Sequence, residues 1–135
     1  MFTGIIESIG TVTELIETGT NRSFWIKSAI SSELKIDQSV AHDGVCLTVD
    51  ELKDGHHRVT AVKETLSKTN LTTWATNRLI NLERSMLMNG RLDGHLVQGH
   101  VDTTGTCTAV KEEAGSWLFT CLLYTSDAAD DSLRV

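Results

Sequence analysis

Gly94-His95-Leu96-Val97-Gln98-Gly99-His100-Val101-Asp102 closes one structural unit and opens a second. The reason is internal repetition, the first feature to seek when a fold is read from a chain. Gly99-His100-Val101-Asp102-Thr103-Thr104-Gly105-Thr106-Cys107-Thr108 lies on Gly4-Ile5-Ile6-Glu7-Ser8-Ile9-Gly10-Thr11-Val12-Thr13 at an offset of 95 residues. Both glycines and two threonines coincide, and Ile6 is matched by Val101. A looser echo sets Phe24-Trp25-Ile26 against Trp117-Leu118-Phe119. The pattern predicts one complete unit followed by the opening of another.

Working outward from that junction, the upstream residues read as short strands and tight turns. Residues 3–16 carry apolar positions at helical spacing, but Gly4, Gly10 and the run Thr11-Val12-Thr13 disfavour a helix, so a bent or bulged strand is expected. A Gly19 turn leads to a second strand at Ser23–Lys27, and Ser31–Lys35 reads as one capped helical turn. Asp43-Gly44 and Asp54-Gly55 are hairpin signals, each between strand-like runs. In the run after Asp43-Gly44, Val45, Leu47 and Val49 share one face, and Cys46 and Thr48 the other. A short helix with a Glu64–Lys68 pair follows Val62, and Leu79–Arg84 is the last strand before a connector at 86–93. About six short strands with almost no helix indicate an all-β barrel or sandwich, and a closed barrel removes exposed edges.

Composition sets the limits on function. Hydrophobic residues make up 40% and charged residues 22%, ordinary for a globule with a core. Nothing approaches the ~20 apolar residues of a membrane span, and Met1–Glu7 does not read as a signal peptide. The net charge of −6 is the wrong sign for nucleic acid or an anionic membrane. Cys46, Cys107 and Cys121 are odd in number and widely spaced, which argues for reduced thiols in a cytoplasmic protein rather than disulfides or zinc. His56-His57 reads as solvated surface beside a turn, and His95 and His100 fall on opposite faces of a continuous strand, so no metal site is expected.

Several blocks, in order, resemble one family. They are Met1–Glu7, Ser39–Val49, Lys63-Glu64-Thr65-Leu66, Thr69-Asn70-Leu71, Asn81-Leu82-Glu83-Arg84 and Gly94–Val101. Together, across residues 1 to about 120, this chain is similar to riboflavin synthase of the alpha-chain type. The resemblance implies two similar six-stranded antiparallel Greek-key β-barrels: a first barrel over residues 1–96 and the incomplete start of a second over 97–120. It implies dismutation of two 6,7-dimethyl-8-ribityllumazine molecules by transfer of a four-carbon unit. The products are riboflavin and 5-amino-6-ribitylaminouracil, and no metal or organic cofactor takes part. It further implies one lumazine per barrel, and an active site shared between neighbouring subunits of a homotrimer.

Carried over residue by residue, the resemblance places a ligand groove at Gly4, Ile5 and Ile6, at Cys46, Leu47 and Thr48, at Thr60, Ala61, Val62, Lys63, Glu64 and Thr65, and at Gly99, His100 and Val101. The chemistry needs a nucleophile for one lumazine and a base for an acidic methyl proton. Ser39, Cys46 and His100, with Phe2 near the ring, are the candidates the resemblance supplies. Each also has a plainer reading. Cys46 is the kind of small residue that fills a core, His100 a polar strand start, Ser39 a turn hydroxyl, and Lys63-Glu64 a solvated pair.

Two departures stand out. Asn77-Arg78 replaces the family's usual Gly-Asp turn, which Asn tolerates at positive φ. From Cys121 to Val135 no family motif continues, and this tail, Tyr124 included, reads as appended sequence without function. On that reading the second barrel is broken, residues 98–120 lack strand partners, and this chain binds ligand with little turnover. A non-catalytic lumazine- or flavin-binding protein, and a barrel that mediates interactions without a small ligand, are the rival expectations.

Overall fold

The computed structural model describes residues 1–123 and 132–134. The expectation for Tyr124 and most of the tail lies outside the described residues. The chain divides into two compact units, Met1–Val101 and Asp102–Val135. The division falls after Val101 because the 94–101 segment bonds to the first unit. Phe2 and Val97 form a bridge, and the Cys46 amide donates to the Gly99 carbonyl at 2.9 Å.

The first unit is a closed antiparallel barrel. Its strands are β1 (Ser8–Thr18), β2 (Asn21–Lys27), β3 (Ser39–His42), β4 (Val45–Lys53), β5 (His56–Ala61) and β6 (Leu79–Arg84). They close in the order β1-β2-β5-β4-β3-β6, with β6 pairing back to β1. The non-sequential neighbours give the expected Greek key. Both Asp-Gly hairpins form with positive φ at each turn residue: 48° and 84° at Asp43-Gly44, and 48° and 74° at Asp54-Gly55. Their twist matches that of the flanking strands. Asn77 holds φ 71° at the turn into β6, as its tolerance for that region predicts.

Alternation fixes what faces inward. Val45, Leu47 and Val49 of β4 are buried, whereas Cys46 is half-buried and Thr48 exposed. Val12, Phe24, Ile26, Val40, Val59, Ile80 and Leu82 complete the core, with Trp74 packed edge-on against Phe24. Gly10 is buried because no side chain fits there. A Cβ would lie 2.8 Å from both Ile26 Cγ2 and Leu82 Cδ1. Gly10→Ala is therefore expected to destabilise the barrel by about 1–3 kcal/mol through overpacking. Urea unfolding would measure it, and an unchanged midpoint would show that the β1–β6 contact yields freely.

Three local expectations are corrected. His57 is fully buried rather than solvated, because His57, Val59 and Ala61 share the inward parity of β5. It meets His42, also fully buried, with their Nε2 atoms 3.0 Å apart. The Ser31–Glu33 turn is 3₁₀ and has no side-chain cap; Ser31 is buried and its hydroxyl bonds His57 Nδ1 at 2.8 Å. His95 and His100 do not lie on a continuous strand, since this segment forms an isolated bridge at Val97 and no strand.

The hydrogen bonds fix the tautomers of the histidine pair. His42 Nδ1 faces the Val40 carbonyl at 2.9 Å, an acceptor, so that nitrogen must donate. His42 Nε2 is then the lone pair that accepts from His57 Nε2–H, leaving His57 Nδ1 to accept from Ser31. Both rings are neutral and every ring nitrogen is paired. Burial first, then the neighbouring His57, pushes His42 down to about 3, against a smaller upward pull from the Val40 carbonyl. Burial first, then His56, pushes His57 down to about 4.

In the second unit, β7 (Gly105–Glu113) and β8 (Ser116–Leu123) pair with each other, so residues 105–120 do have a partner, contrary to expectation. β9 (Ser132–Arg134) pairs with β8. Val110, Trp117, Phe119 and Leu122 are exposed. The hairpin repeats β1–β2 in register. All seven β1–β2 pairs, from Thr11 with Lys27 to Thr18 with Asn21, recur 95 residues later, from Thr106 with Leu122 to Glu113 with Ser116. The bulge recurs too, at Thr13 and at Thr108. Each of these hydroxyls donates to a carbonyl across the hairpin at 3.2 Å, Thr13 to Trp25 and Thr108 to Thr120. This register pairs Phe24-Trp25-Ile26 with Phe119-Thr120-Cys121, which corrects the echo read at Trp117–Phe119.

Candidate functional site

The outer face of the barrel is built by the residues that alternate with the core. On β3 and β4, Ser39 is the cross-strand partner of Thr48, and Ala41 that of Cys46. Ala41 is in turn the partner of Glu83 on β6. A row Cys46–Ala41–Glu83 therefore crosses three strands, about 5 Å per step. The row Thr48–Ser39 runs beside it.

Two distant segments lie over this face. Phe2 is only 1% exposed although it precedes the first strand. Its amide donates to the Val97 carbonyl at 2.7 Å and its carbonyl accepts from the Val97 amide at 2.9 Å. Gly99 holds φ +78°, and a Cβ there would stand 2.8 Å from Cys46 Cβ and 3.1 Å from Phe2 Cε2. Phe2, Cys46 and Gly99 are thus in contact, although the sequence separates them widely. His100 follows, exposed, and Val101 packs against the core.

The remaining sequence-predicted residues fall into three groups. Leu47 and Ala61 are core residues, so what they offer a ligand at the outer face is backbone. Thr60 is half-buried on β5, with its hydroxyl donated to Asp50 Oδ2 at 2.5 Å and a second contact to Ser23 Oγ at 2.8 Å. Val62, Lys63, Glu64 and Thr65 form the start of a single-turn helix, α1 (Lys63–Lys68). There Lys68 Nζ donates to Glu64 Oε1 at 2.8 Å and holds that carboxyl below its usual range. Gly4, Ile5 and Ile6 are exposed on the segment leading into β1. Ile5 lines a cleft of about 350 Å³ together with Thr3, Glu83, Arg84 and Arg91, and neither Cys46 nor Gly99 is among its walls. At the edge of this cleft Arg84 Nε donates to Glu7 Oε1 at 2.9 Å; this hydrogen bond is the main reason the Glu7 carboxyl is held low.

The sequence reading missed Ala41 and Glu83. Ala41 was recoverable, since it shares the outward parity of Ser39. Glu83 gives no such signal: it has the outward parity of Leu79 and Asn81, which are exposed, yet is itself buried. Among the described residues, no group of three or more His, Cys, Asp or Glu is placed to hold a metal ion.

The outer face of β3 and β4 therefore carries a half-buried thiol and two hydroxyls, with the buried Phe2 ring and the Gly99 backbone packed against it at Cys46 and His100 exposed on the segment beyond. The lumazine binding domain model matches residues 3–85, and the chain belongs to that family. It is 37% identical over 117 residues to a riboflavin synthase of Bacillus amyloliquefaciens, covering 86% of this chain and 54% of that one. It is 40% identical over 111 residues to a riboflavin synthase of Mycobacterium tuberculosis, covering 81% and 55%. The chain spans about half the length of the curated relatives it matches. Its fold is similar to that of LumP complexed with 6,7-dimethyl-8-(1'-D-ribityl) lumazine, with TM-score 0.84, 16% identity, and coverage of 100% of this chain and 85% of that one. LumP complexed with riboflavin gives TM-score 0.80 at 16% identity, covering 90% and 66%. Among the described residues, no helix is long and apolar enough to cross a membrane.

Proposed function

We propose that the first unit holds one 6,7-dimethyl-8-ribityllumazine on the outer face of β3 and β4, and that it serves as one lumazine site of a riboflavin synthase. The observation that carries the reading is the contact of Phe2, Gly99 and Cys46 beside Ser39 and Thr48, in a chain whose relatives are riboflavin synthases. The Gly99 backbone, backed by the buried Phe2 ring, shapes the wall of the groove. Ser39 and Thr48 supply hydroxyls for carbonyl or ribityl oxygens. Cys46 and His100 are the groups available to add to the ring or to take a methyl proton. The reaction moves four carbons from one lumazine to another and needs no net oxidant, so two rings must meet. One groove supplies one of them; a second groove, in the second repeat or in a partner subunit of a homotrimer, must supply the other.

The likeness to LumP favours a second reading, a flavin- or lumazine-binding protein without turnover. Both readings share the groove and differ in chemistry. Fluorescence titration with riboflavin and with 6,7-dimethyl-8-ribityllumazine separates them, with absorbance followed for riboflavin formation. Saturable quenching near one ligand per chain is the expected result. Riboflavin formation that depends on Cys46 or His100 selects the enzyme, and binding without formation under any assembly state selects the carrier. A folded sample that binds neither ligand ends both readings.

A further inference from the structure

We propose that Glu83 is a positioning residue for this groove: its carboxylate holds the Thr3–Gly4 backbone, and through it the 94–99 segment, where Phe2 and Gly99 meet Cys46. The proposal rests on the groove reading above. It begins with an anomaly in β6. Ile80 and Leu82 face the core, Leu79 and Asn81 face out and are exposed, and Glu83 has their outward parity yet is only 7% exposed. A carboxylate so covered is costly unless its oxygens are fully bonded. They are. Oε1 accepts from the Thr3 amide and from the Thr3 hydroxyl at 2.7 Å, and Oε2 accepts from the Gly4 amide at 3.1 Å.

Two successive amides on one carboxylate form an anion nest, which Gly4 permits by holding φ +83°. The Thr3 hydroxyl is itself fixed by accepting from the Ile5 amide at 3.2 Å. Backbone bonds fasten the two ends of this segment, Met86 N to Met1 O and Glu7 N to Leu82 O, each at 2.9 Å. Between them Glu83 is its polar hold on the barrel. The next layer is built on the same residues. The Thr3 carbonyl accepts from the His95 amide at 2.9 Å, and Phe2 exchanges two bonds with Val97. Two residues on, Gly99 reaches Cys46. Glu83 also shares a cross-strand row with Cys46, with Ala41 between them. The carboxylate thus sets how the covering layer lies over the row that holds the thiol. Its oxygens are directed at Thr3 and Gly4, so it acts through them and not on a ligand.

Glu83→Gln keeps the shape but points an NH₂ group at one of these donors. In this variant the affinity for riboflavin is expected to fall at least tenfold. Hydrogen exchange is expected to speed up at the Thr3, Gly4, His95 and Val97 amides, while Val12, Val40 and Val59 keep their protection. Thr3→Val removes only one of the three donors, so it is the fallback if Glu83→Gln does not fold; a severalfold loss of affinity with the same local exchange pattern is expected. Unchanged exchange at those four amides overturns the proposal, and so does a loss of affinity that only tracks a general loss of barrel protection. The exchange readout needs no ligand. A parent chain that binds neither riboflavin nor the lumazine therefore defeats the function reading alone, and the exchange result still decides the role of Glu83.

Discussion

Lowering the pH from 7 to 5 is expected to remove roughly 4 kcal/mol of stability from the first barrel through His42 and His57. Both rings are buried and neutral, and in the folded chain they titrate at about 3 and about 4, below the 6.5 of an exposed imidazole. Over that window the unfolded chain binds more protons than the folded one. The stability they contribute is therefore fully present above pH 6.5 and is lost as pH falls towards 4. Each histidine weighs about 1.4 kcal/mol per pH unit below its unfolded value. Against a typical total of about 5–15 kcal/mol, that is enough to bring on acid unfolding well above the carboxylate range. For His42, protonation in place is opposed by its partner as well as by burial. His42 Nε2, the free lone pair, is already occupied by the His57 N–H, and a proton there would set two donors face to face. Urea midpoints at pH 7, 6 and 5 test the slope. The double variant His42→Leu/His57→Leu should flatten it, since apolar residues of similar volume fill the same interior. A parent chain whose stability moves by less than about 1 kcal/mol, or a double variant with the parent's slope, refutes the account.

The parts of this molecule that were legible in the sequence are those whose cause is local. Asp43-Gly44 and Asp54-Gly55 announce hairpins because each needs two residues at positive φ, and few other pairs comply. That this stretch is a bent or bulged strand and not a helix was legible from Gly4, Gly10 and the Thr-Val-Thr run, which spoil a helix. The split of Val45, Leu47 and Val49 from Cys46 and Thr48 follows from strand parity alone. The repeat was legible because the same glycine and threonine constraints recur 95 residues on, down to the Thr13 and Thr108 bulges. What was misread, His57, or missed, Glu83, depends on partners far along the chain. His57 sits next to an Asp-Gly turn, which suggests solvent, and only His42 on β3 and Ser31 in the 3₁₀ turn explain how it is buried. Glu83 carries the outward parity of an exposed residue, and only the N-terminal segment folding back explains its burial. The candidate site shows the same division. Ser39, Cys46 and Thr48 come from one hairpin and could be placed on one face. The arrival of Phe2 and Gly99 on that face is a contact across most of the barrel's length of chain, and the spacing of residues does not encode it.

Gly99→Ala is expected to abolish high-affinity binding of riboflavin and lumazine, lowering affinity by well over tenfold, or more than about 1.4 kcal/mol. The residue holds φ +78°, where an alanine costs about 1–2 kcal/mol. The steric penalty comes on top. The new methyl would meet Cys46 Cβ at 2.8 Å, the Cys46 amide nitrogen at 3.1 Å and Phe2 Cε2 at 3.1 Å. None of these is the free end of a flexible side chain. Two belong to the body of β4, and the third is a ring that is itself buried. Relief requires lifting the 94–100 segment off the strand, which breaks the bond from the Cys46 amide to the Gly99 carbonyl and draws Phe2 away through its bridge to Val97. Gly10→Ala is the proper control. It also inserts a methyl into a 2.8 Å gap, but its neighbours are Ile26 and Leu82 in the core, remote from the outer face. It should lower stability and leave affinity unchanged wherever the protein is folded. Gly99→Ala should instead lose affinity out of proportion to any loss of stability, with faster exchange at the Cys46 amide. Equal affinity in Gly99→Ala and the parent would remove the 94–100 segment from the binding surface, and with it the reason for placing His100 at the chemistry.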